Sequence, residues 1–234
     1  MPIPDTRSAR QAILGALRNQ APRQPLPAPD LQPYLQGPYG QGSQGPRPAP
    51  AGLLESFERA ARGWHADLLH APVQGWADAV QQALAQRGCR RVVIGAGSPL
   101  LPELSRTGLP LQRYEQAIEH WKTELFDEVD AGVTSAAAGI ADTGSLLLLT
   151  GPQEPRTLSL VPPVHVAVLR ASRLYASLPA VLAELAPQRD LPTNLLLVTG
   201  PSKTADIQQT LAYGAHGPKE LVIVLVHDLE EEMQ

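Results

Sequence analysis

The chain has 234 residues, 43% of them hydrophobic but only 4% aromatic, and 19 Lys and Arg against 23 Asp and Glu give a net charge of −4. Such a length can bury a self-sufficient core, which must here be aliphatic, and so mild a charge, with no basic block, gives no electrostatic reason to expect nucleic acid or an acidic membrane as partner. Cys89 is the only cysteine, which excludes an internal disulfide and any cysteine-ligated zinc or iron–sulfur cluster held by this chain.

The start MPIPDTRSAR lacks the apolar core of a signal peptide, so the expected compartment is the cytoplasm. A first amphipathic helix is predicted over 7–19, with Ile13, Leu14 and Leu17 on one side and Asp5 or Thr6 placed to cap it. From 22 to 50 Pro or Gly recurs at nearly every third position. Each Pro removes a backbone donor and fixes φ, so this stretch reads as a tether between the helix of 1–21 and an α/β domain of 51–234. Deleting 22–50 is expected to cost little stability.

A helix over 53–62 should bury Leu53, Leu54 and Phe57, and a short strand, HADLLHA, can follow. Trp76, Val80 and Leu84 recur at helical spacing, with Gly88 as the stop. RRVVIGAG is a buried strand that ends at a glycine turn. AGVTSA, SLLLLTG, VHVAVLRA, NLLLVTG and LVIVLVH are further apolar runs bounded by turn residues. Helices are predicted between them, over 179–186 (Val181, Leu182, Leu185) and over 205–213 (Ile207 and Leu211 inward, Gly214 as stop). Strands apolar throughout require burial on both faces. The fold class is α/β, a mostly parallel sheet flanked by helices, with a helical N-terminal segment.

Several stretches could carry chemistry. GAGSP at 95–99 lacks the third glycine of a dinucleotide fingerprint, because position 100 is Leu. DTGS at 142–145 is a single copy among α/β elements, whereas an aspartic protease needs two such aspartates on an all-β scaffold. It forms a natural turn, with Asp142 and Thr143 bonding nearby backbone and Gly144 free to take φ > 0. TGPSKTADI at 199–207 has Ser202 and Leu197 where a P-loop needs glycine. With a helix starting near Thr204, its amides, the Ser202 and Thr204 hydroxyls and Lys203 suit a carboxylate or phosphate. Simple helix capping, with Asp206 favouring the helix dipole, accounts for the stretch equally well. GAHGP at 214–218 places His216 in a glycine turn before the last strand, and a histidine there can move protons near neutral pH. His165, after Pro162 and Pro163, is ambiguous. No His, Asp and Glu spacing resembles a metal site.

Taken together, VTSAAAGIADTGSLLLL, PRTLSLVPPVHVAVL and LLLVTGPSKTADIQQTLAYGAHGPKELVIVLV resemble the lactate utilization protein C family, the LUD-domain proteins. The matching positions are Val133-Thr134, Ala141 to Gly144, Arg156, Leu160 to His165, Gly200 to Ile207 and Gly214 to Pro218. The resemblance implies a fold like that of the sugar-phosphate isomerases and CoA transferases. It also implies a part in oxidising L-lactate to pyruvate beside partner subunits that carry iron–sulfur clusters. This chain would then bind no cofactor and no metal, and be a non-redox subunit that holds a small carboxylate or assembles its partners. A stand-alone isomerase- or transferase-like enzyme acting on a phosphorylated or CoA-linked substrate, or a structural module with a vestigial cleft, are the alternatives.

The expected site joins His216, Asp142 and Asp206 as acid–base candidates. Thr134, Thr143, Gly144, Ser145, Arg156, Gly200, Ser202, Lys203, Thr204 and Gly217 would bind the ligand. Parallel strands place their following loops on one edge, so these residues are expected around one cleft at the C-terminal edge of the sheet.

Overall fold

Runs such as VVIG, with every residue buried, have no polar side to offer water and are stable only between two covering layers. The computed structural model describes residues 6–20, 30, 50–185, 194–205, 211–214 and 216–229, and it shows how those layers are built. In chain order the helices and strands are α1 (Thr6–Gln20), α2 (Pro50–Gly63), β1 (Asp67–Pro72), α3 (Trp76–Gln86), β2 (Val92–Gly95), α4 (Leu101–Leu104), β3 (Leu111–Tyr114) and α5 (Ile118–Asp127). Then come β4 (Ala131–Ser135), β5 (Ala138–Ile140), β6 (Ser145–Leu149), α6 (Thr157–Leu160), β7 (Val164–Arg170), β8 (Leu174–Tyr175), α7 (Leu178–Leu185), β9 (Leu195–Val198), β10 (Lys203–Ala205), β11 (Leu211–Tyr213) and β12 (Glu220–His227).

Six strands form the main sheet in the order β1-β12-β7-β4-β2-β3, and every pair in it is parallel. Helix α3 covers one face, its Trp76, Val80 and Leu84 packing with Ile94, Val133, Val166 and Val224. The other face is shared. Toward β2 and β3 it is covered from α5 and α6, where Trp121, Leu125 and Leu158 pack with Val93. Toward β7 and β12 it is covered by α2 and by a second sheet, so that Phe57, Leu146, Leu148, Leu169 and Ile223 share one cluster.

That second sheet has the order β8-β5-β6-β9, with β5–β6 and β6–β9 antiparallel. SLLLL and NLLLV therefore do not extend the parallel sheet; they form a layer over it. The continuous apolar run of β6 follows from its position. Leu146 and Leu148 face the main sheet, while Leu147 faces outward under Val181 and Leu185 of α7.

At both described ends of the helix expected over 205–213 the backbone is strand, and 206–210 lie outside the described residues. Lys203–Ala205 and Leu211–Tyr213 instead pair antiparallel as β10 and β11, so no helix begins near Thr204. Spacing of Ile207 and Leu211 by four suits a helix, but Leu211 is held in β11 by its pairing with Ala205. Most of the 22–50 stretch lies outside the described residues, and Pro50 opens α2. On α1, Ile13 and Leu17 face solvent, 61% and 58% exposed. Among the described residues no helix is long and apolar enough to cross a membrane.

Candidate functional site

Chain segments 199–203 and 214–218 are stitched together at the N-terminal edge of the main sheet. Ser202 N–H donates to Pro218 O at 2.8 Å, and Gly214 N–H donates to Ser202 O at 2.9 Å. Gly200 has φ +76, and a Cβ there would stand 2.2 Å from Trp64 O, so only glycine fits the approach. Gly217 packs against Ser202, where an added Cβ would meet the Ser202 Cβ at 3.1 Å. Between these segments and the start of β7 lies an open cleft of about 400 Å³, whose polar lining includes Ser159, His165, Thr199, Ser202, Lys203 and His216. Lys203 and His216 are exposed at its mouth, and the Lys203 ammonium sits 4.9 Å from the centroid of the Trp64 ring, within cation–π range.

His165 is the unusual residue of this cleft. It is the second residue of β7, and β7 is otherwise buried and aliphatic up to Arg170. It is fully buried, at 0% exposure. Its register partner on β4 is Gly132, and a Cβ at Gly132 would stand 2.1 Å from Leu158 O. The missing side chain thus lets α6 settle on β4 beside the imidazole. Thr134 Oγ1, two residues further along the same face, lies 2.8 Å from His165 Nε2. His165 Nδ1 is buried and, among the described residues, has no hydrogen-bond partner. Burial penalises the charged ring and lowers its pKa from 6.5 to about 4, so the imidazole is neutral at pH 7.

A chain of hydroxyls reaches the cleft from the second sheet. Thr143 Oγ1 lies 2.7 Å from Ser145 Oγ, which lies 2.6 Å from Thr199 Oγ1. Asp142 and Thr143 are exposed, and Ser145 is buried. Partial desolvation raises the Asp142 carboxyl above its ordinary pKa. Gly144 has φ +64, and a Cβ on it would stand 2.2 Å from Ala61 N in α2. The DTGS turn is therefore where the second sheet lies against α2.

Of the residues singled out in the sequence, Gly200, Ser202, Lys203, His216 and Gly217 line one cleft. Thr134 reaches it through His165, and Ser145 and Thr143 through Thr199. Asp142, Gly144 and Arg156 do not line it. Arg156 is exposed just before α6. Asp206 lies outside the described residues, and Thr204 belongs to β10.

The expected edge is corrected. Ser159 and Leu160 precede β7, and His216, Gly217 and Pro218 precede β12, so the cleft opens where parallel strands begin. The rule that loops after parallel strands share an edge does not apply to Thr199, because β9 belongs to the antiparallel layer. At the C-terminal edge a different cleft of about 410 Å³ is lined by Ser135, Arg170 and Arg173 among others, and by none of the expected site residues. Its wall is organised by Glu154, which accepts from Ser98 Oγ at 2.6 Å and from Ser135 N and Oγ at 3.0 and 2.5 Å.

His165, Ser159 and Thr199 were not among the expected ligand-binding residues. For His165 a signal existed: one polar side chain within LVPPVHVAVL, among aliphatic neighbours, must find a partner or serve as one.

The LUD domain family model matches residues 54–226. The chain is 37% identical over 229 residues to the uncharacterized protein NMB1437 of Neisseria meningitidis serogroup B, covering 94% of each. It is 30% identical over 233 residues to the lactate utilization protein C of Deinococcus radiodurans, covering 96% of this chain and 98% of that one. The crystal structure of a DUF162 family protein from Deinococcus radiodurans superposes with a TM-score of 0.57 at 26% identity, covering 76% of this chain and 98% of that one.

Proposed function

The chain belongs to the LUD-domain family, and from that premise we propose that it serves lactate utilization as a non-redox subunit whose N-terminal-edge cleft holds a small carboxylate. The first part rests on relatives named lactate utilization protein C. Lactate oxidation removes two electrons, and no ordinary side chain accepts them. An iron–sulfur cluster needs several thiolates. The sequence offers only Cys89, half-buried, with its thiol pKa raised by burial and then by Asp130. The redox centres therefore belong to iron–sulfur partner subunits.

The observation that carries the carboxylate reading is the cleft itself. Among the described residues its lining brings together one cation, Lys203, the hydroxyl side chains of Ser202 and Thr199, and His165. A cation supplies the attraction for a carboxylate, and fixed hydroxyls supply its orientation.

Two measurements test this. Tagged full-length chain recovered from its native cells should bring down proteins rich in iron and acid-labile sulfide. Calorimetric titration of the purified chain with acetate, propionate and L-lactate should show saturable binding. Recovery without iron-bearing partners overturns the subunit assignment, and absence of binding by every acid overturns the ligand assignment.

A further inference from the structure

We infer that the cleft at the C-terminal edge of the main sheet is a second binding site, for a phosphate monoester whose esterified group is apolar rather than a sugar. This site is separate from the carboxylate cleft and stands whether or not that reading holds.

Open parallel sheets collect ligands outside the carboxyl ends of their strands. The cleft of about 410 Å³ lies there, within the size range of small-molecule sites. The chain after β7 supplies its charge. A single 3₁₀ turn, Ala171–Arg173, separates Arg170 from Arg173, and at a spacing of three such a turn brings side chains back to the same side. Both arginines are exposed and both belong to the lining. Asp228 fixes the turn between them, accepting from Ser172 N–H at 2.9 Å and from Ser172 Oγ–H at 2.7 Å.

The carboxylates behind this cleft are already engaged, so they oppose an incoming anion little. Arg170 Nη1 stands 3.6 Å from Asp228 Oδ2, attracted by it yet too far for a hydrogen bond. Arg173 stands beside the Tyr175 hydroxyl, which donates to Glu184 Oε1 at 2.9 Å. Glu154 is held by the amide of Ser135 and the hydroxyls of Ser98 and Ser135. Among the described residues the lining itself has two cations and no carboxylate, in a chain whose net charge is −4. Two guanidiniums, each a planar fork of five N–H donors, match the several oxygens and the double charge of a phosphoryl group better than a single carboxylate.

The other walls determine the rest of the ligand. Trp76, Pro99, Leu100, Leu149 and Leu185 are apolar, and the Ser135 hydroxyl donates to Glu154 at 2.5 Å. Beyond the arginines, the described lining leaves at most the indole N–H of Trp76 as a side-chain donor, too little for the several hydroxyls of a sugar. A ring or a branched alkyl group would instead bury apolar surface there.

Calorimetric titration of the full chain with phenyl phosphate, ribose 5-phosphate and benzoate separates these requirements. Phenyl phosphate should bind at least about tenfold more tightly than ribose 5-phosphate, which lacks the apolar body. It should exceed benzoate, which lacks the phosphoryl group, by a similar factor. Arg170→Ala and Arg173→Ala should each weaken phenyl phosphate binding more than about tenfold. Their Tm should stay within about 3 °C of wild type, because exposed arginines contribute little to folding. Arg170→Lys keeps the charge and loses the fork, so its affinity should fall between wild type and alanine. Absence of phenyl phosphate binding overturns the inference, and so does ribose 5-phosphate or benzoate binding as tightly. Binding that both alanine variants retain also overturns it, including the case in which Lys203→Ala abolishes that binding and so places the anion in the other cleft.

Discussion

Thr134 Oγ1 and His165 Nε2, 2.8 Å apart, join adjacent parallel strands of the main sheet through their side chains. Thr134→Val keeps the shape of the side chain and removes the hydroxyl, leaving both ring nitrogens of His165 unpaired. The expected loss is about 1–3 kcal/mol, or roughly 2–4 °C in Tm for each kcal/mol at this chain length. Thr134→Ser should recover most of it. Unchanged melting in the valine variant would show that the bond contributes nothing.

The same histidine makes stability depend on pH. Its folded pKa, about 4, lies below the ordinary 6.5, so between those values the unfolded chain binds a proton that the folded chain refuses. Stability then rises with pH through that window. It is fully present above about 6.5 and is lost as pH falls toward 4, a total on the order of 3 kcal/mol at about 1.4 kcal/mol per pH unit. Carboxylates titrate near the lower end of the window, so the measurement is a difference. Denaturant unfolding of wild type and His165→Phe from pH 4 to 7.5 should show the wild type with the steeper fall. Parallel curves would mean that the buried ring is not neutral, or that the cleft hydrates it.

Gly144 tests what the DTGS turn is for. Its φ of +64 and the 2.2 Å gap to Ala61 N leave no room for a Cβ, so Gly144→Ala must strain the turn or push the second sheet away from α2. The expected cost is about 2 kcal/mol or more, read by urea unfolding. Asp142→Asn, at an exposed position off the cleft, should leave carboxylate affinity unchanged. The opposite pattern, a tolerated alanine and a lost affinity, would return the motif to ligand binding.

These residues also show how much was legible in the sequence. β6 could be recognised from SLLLL because a strand covered on both faces needs no polar alternation. Which sheet it joins could not be read, since a run covered by two layers looks the same whether its neighbours are parallel or antiparallel. The segment from Lys203 to Tyr213 went wrong for a related reason. Apolar spacing there suits a helix, whereas the pairing of β10 with β11 and the bond from Ser202 N–H to Pro218 O are tertiary choices. Gly200, Ser202, Lys203, His216 and Gly217 could be grouped from their turn chemistry, yet they were assigned to the wrong edge. His216 follows β11, which lies outside the main sheet, and precedes β12, which lies within it, and that order places it where the parallel strand begins.

Lys203 and His216 provide the last prediction. Both are exposed and both line the cleft, so replacing them should affect binding more than folding. Lys203→Ala removes the cation that faces a carboxylate, a charge-assisted contact of about 1.5–3 kcal/mol, or more than tenfold in Kd. It also removes the contact with the Trp64 ring, worth about 0.5–1 kcal/mol at an exposed site, so a small fall in stability is expected and a large one is not. Lys203→Arg should keep both the charge and the ring contact, and recover most of the affinity. If attraction is electrostatic, raising salt from 0.05 to 0.5 M shortens the Debye length from about 14 Å to about 4 Å. Wild-type affinity should then fall, while the already weakened alanine variant changes little. His216→Ala, which removes a ring from the mouth and keeps the Lys203 ammonium, should weaken binding less than Lys203→Ala and leave its salt dependence in place. Should both variants instead lose stability in step with affinity, the two residues are parts of a turn that shapes the edge of the sheet, and the ligand contacts lie deeper, at His165 and Thr199.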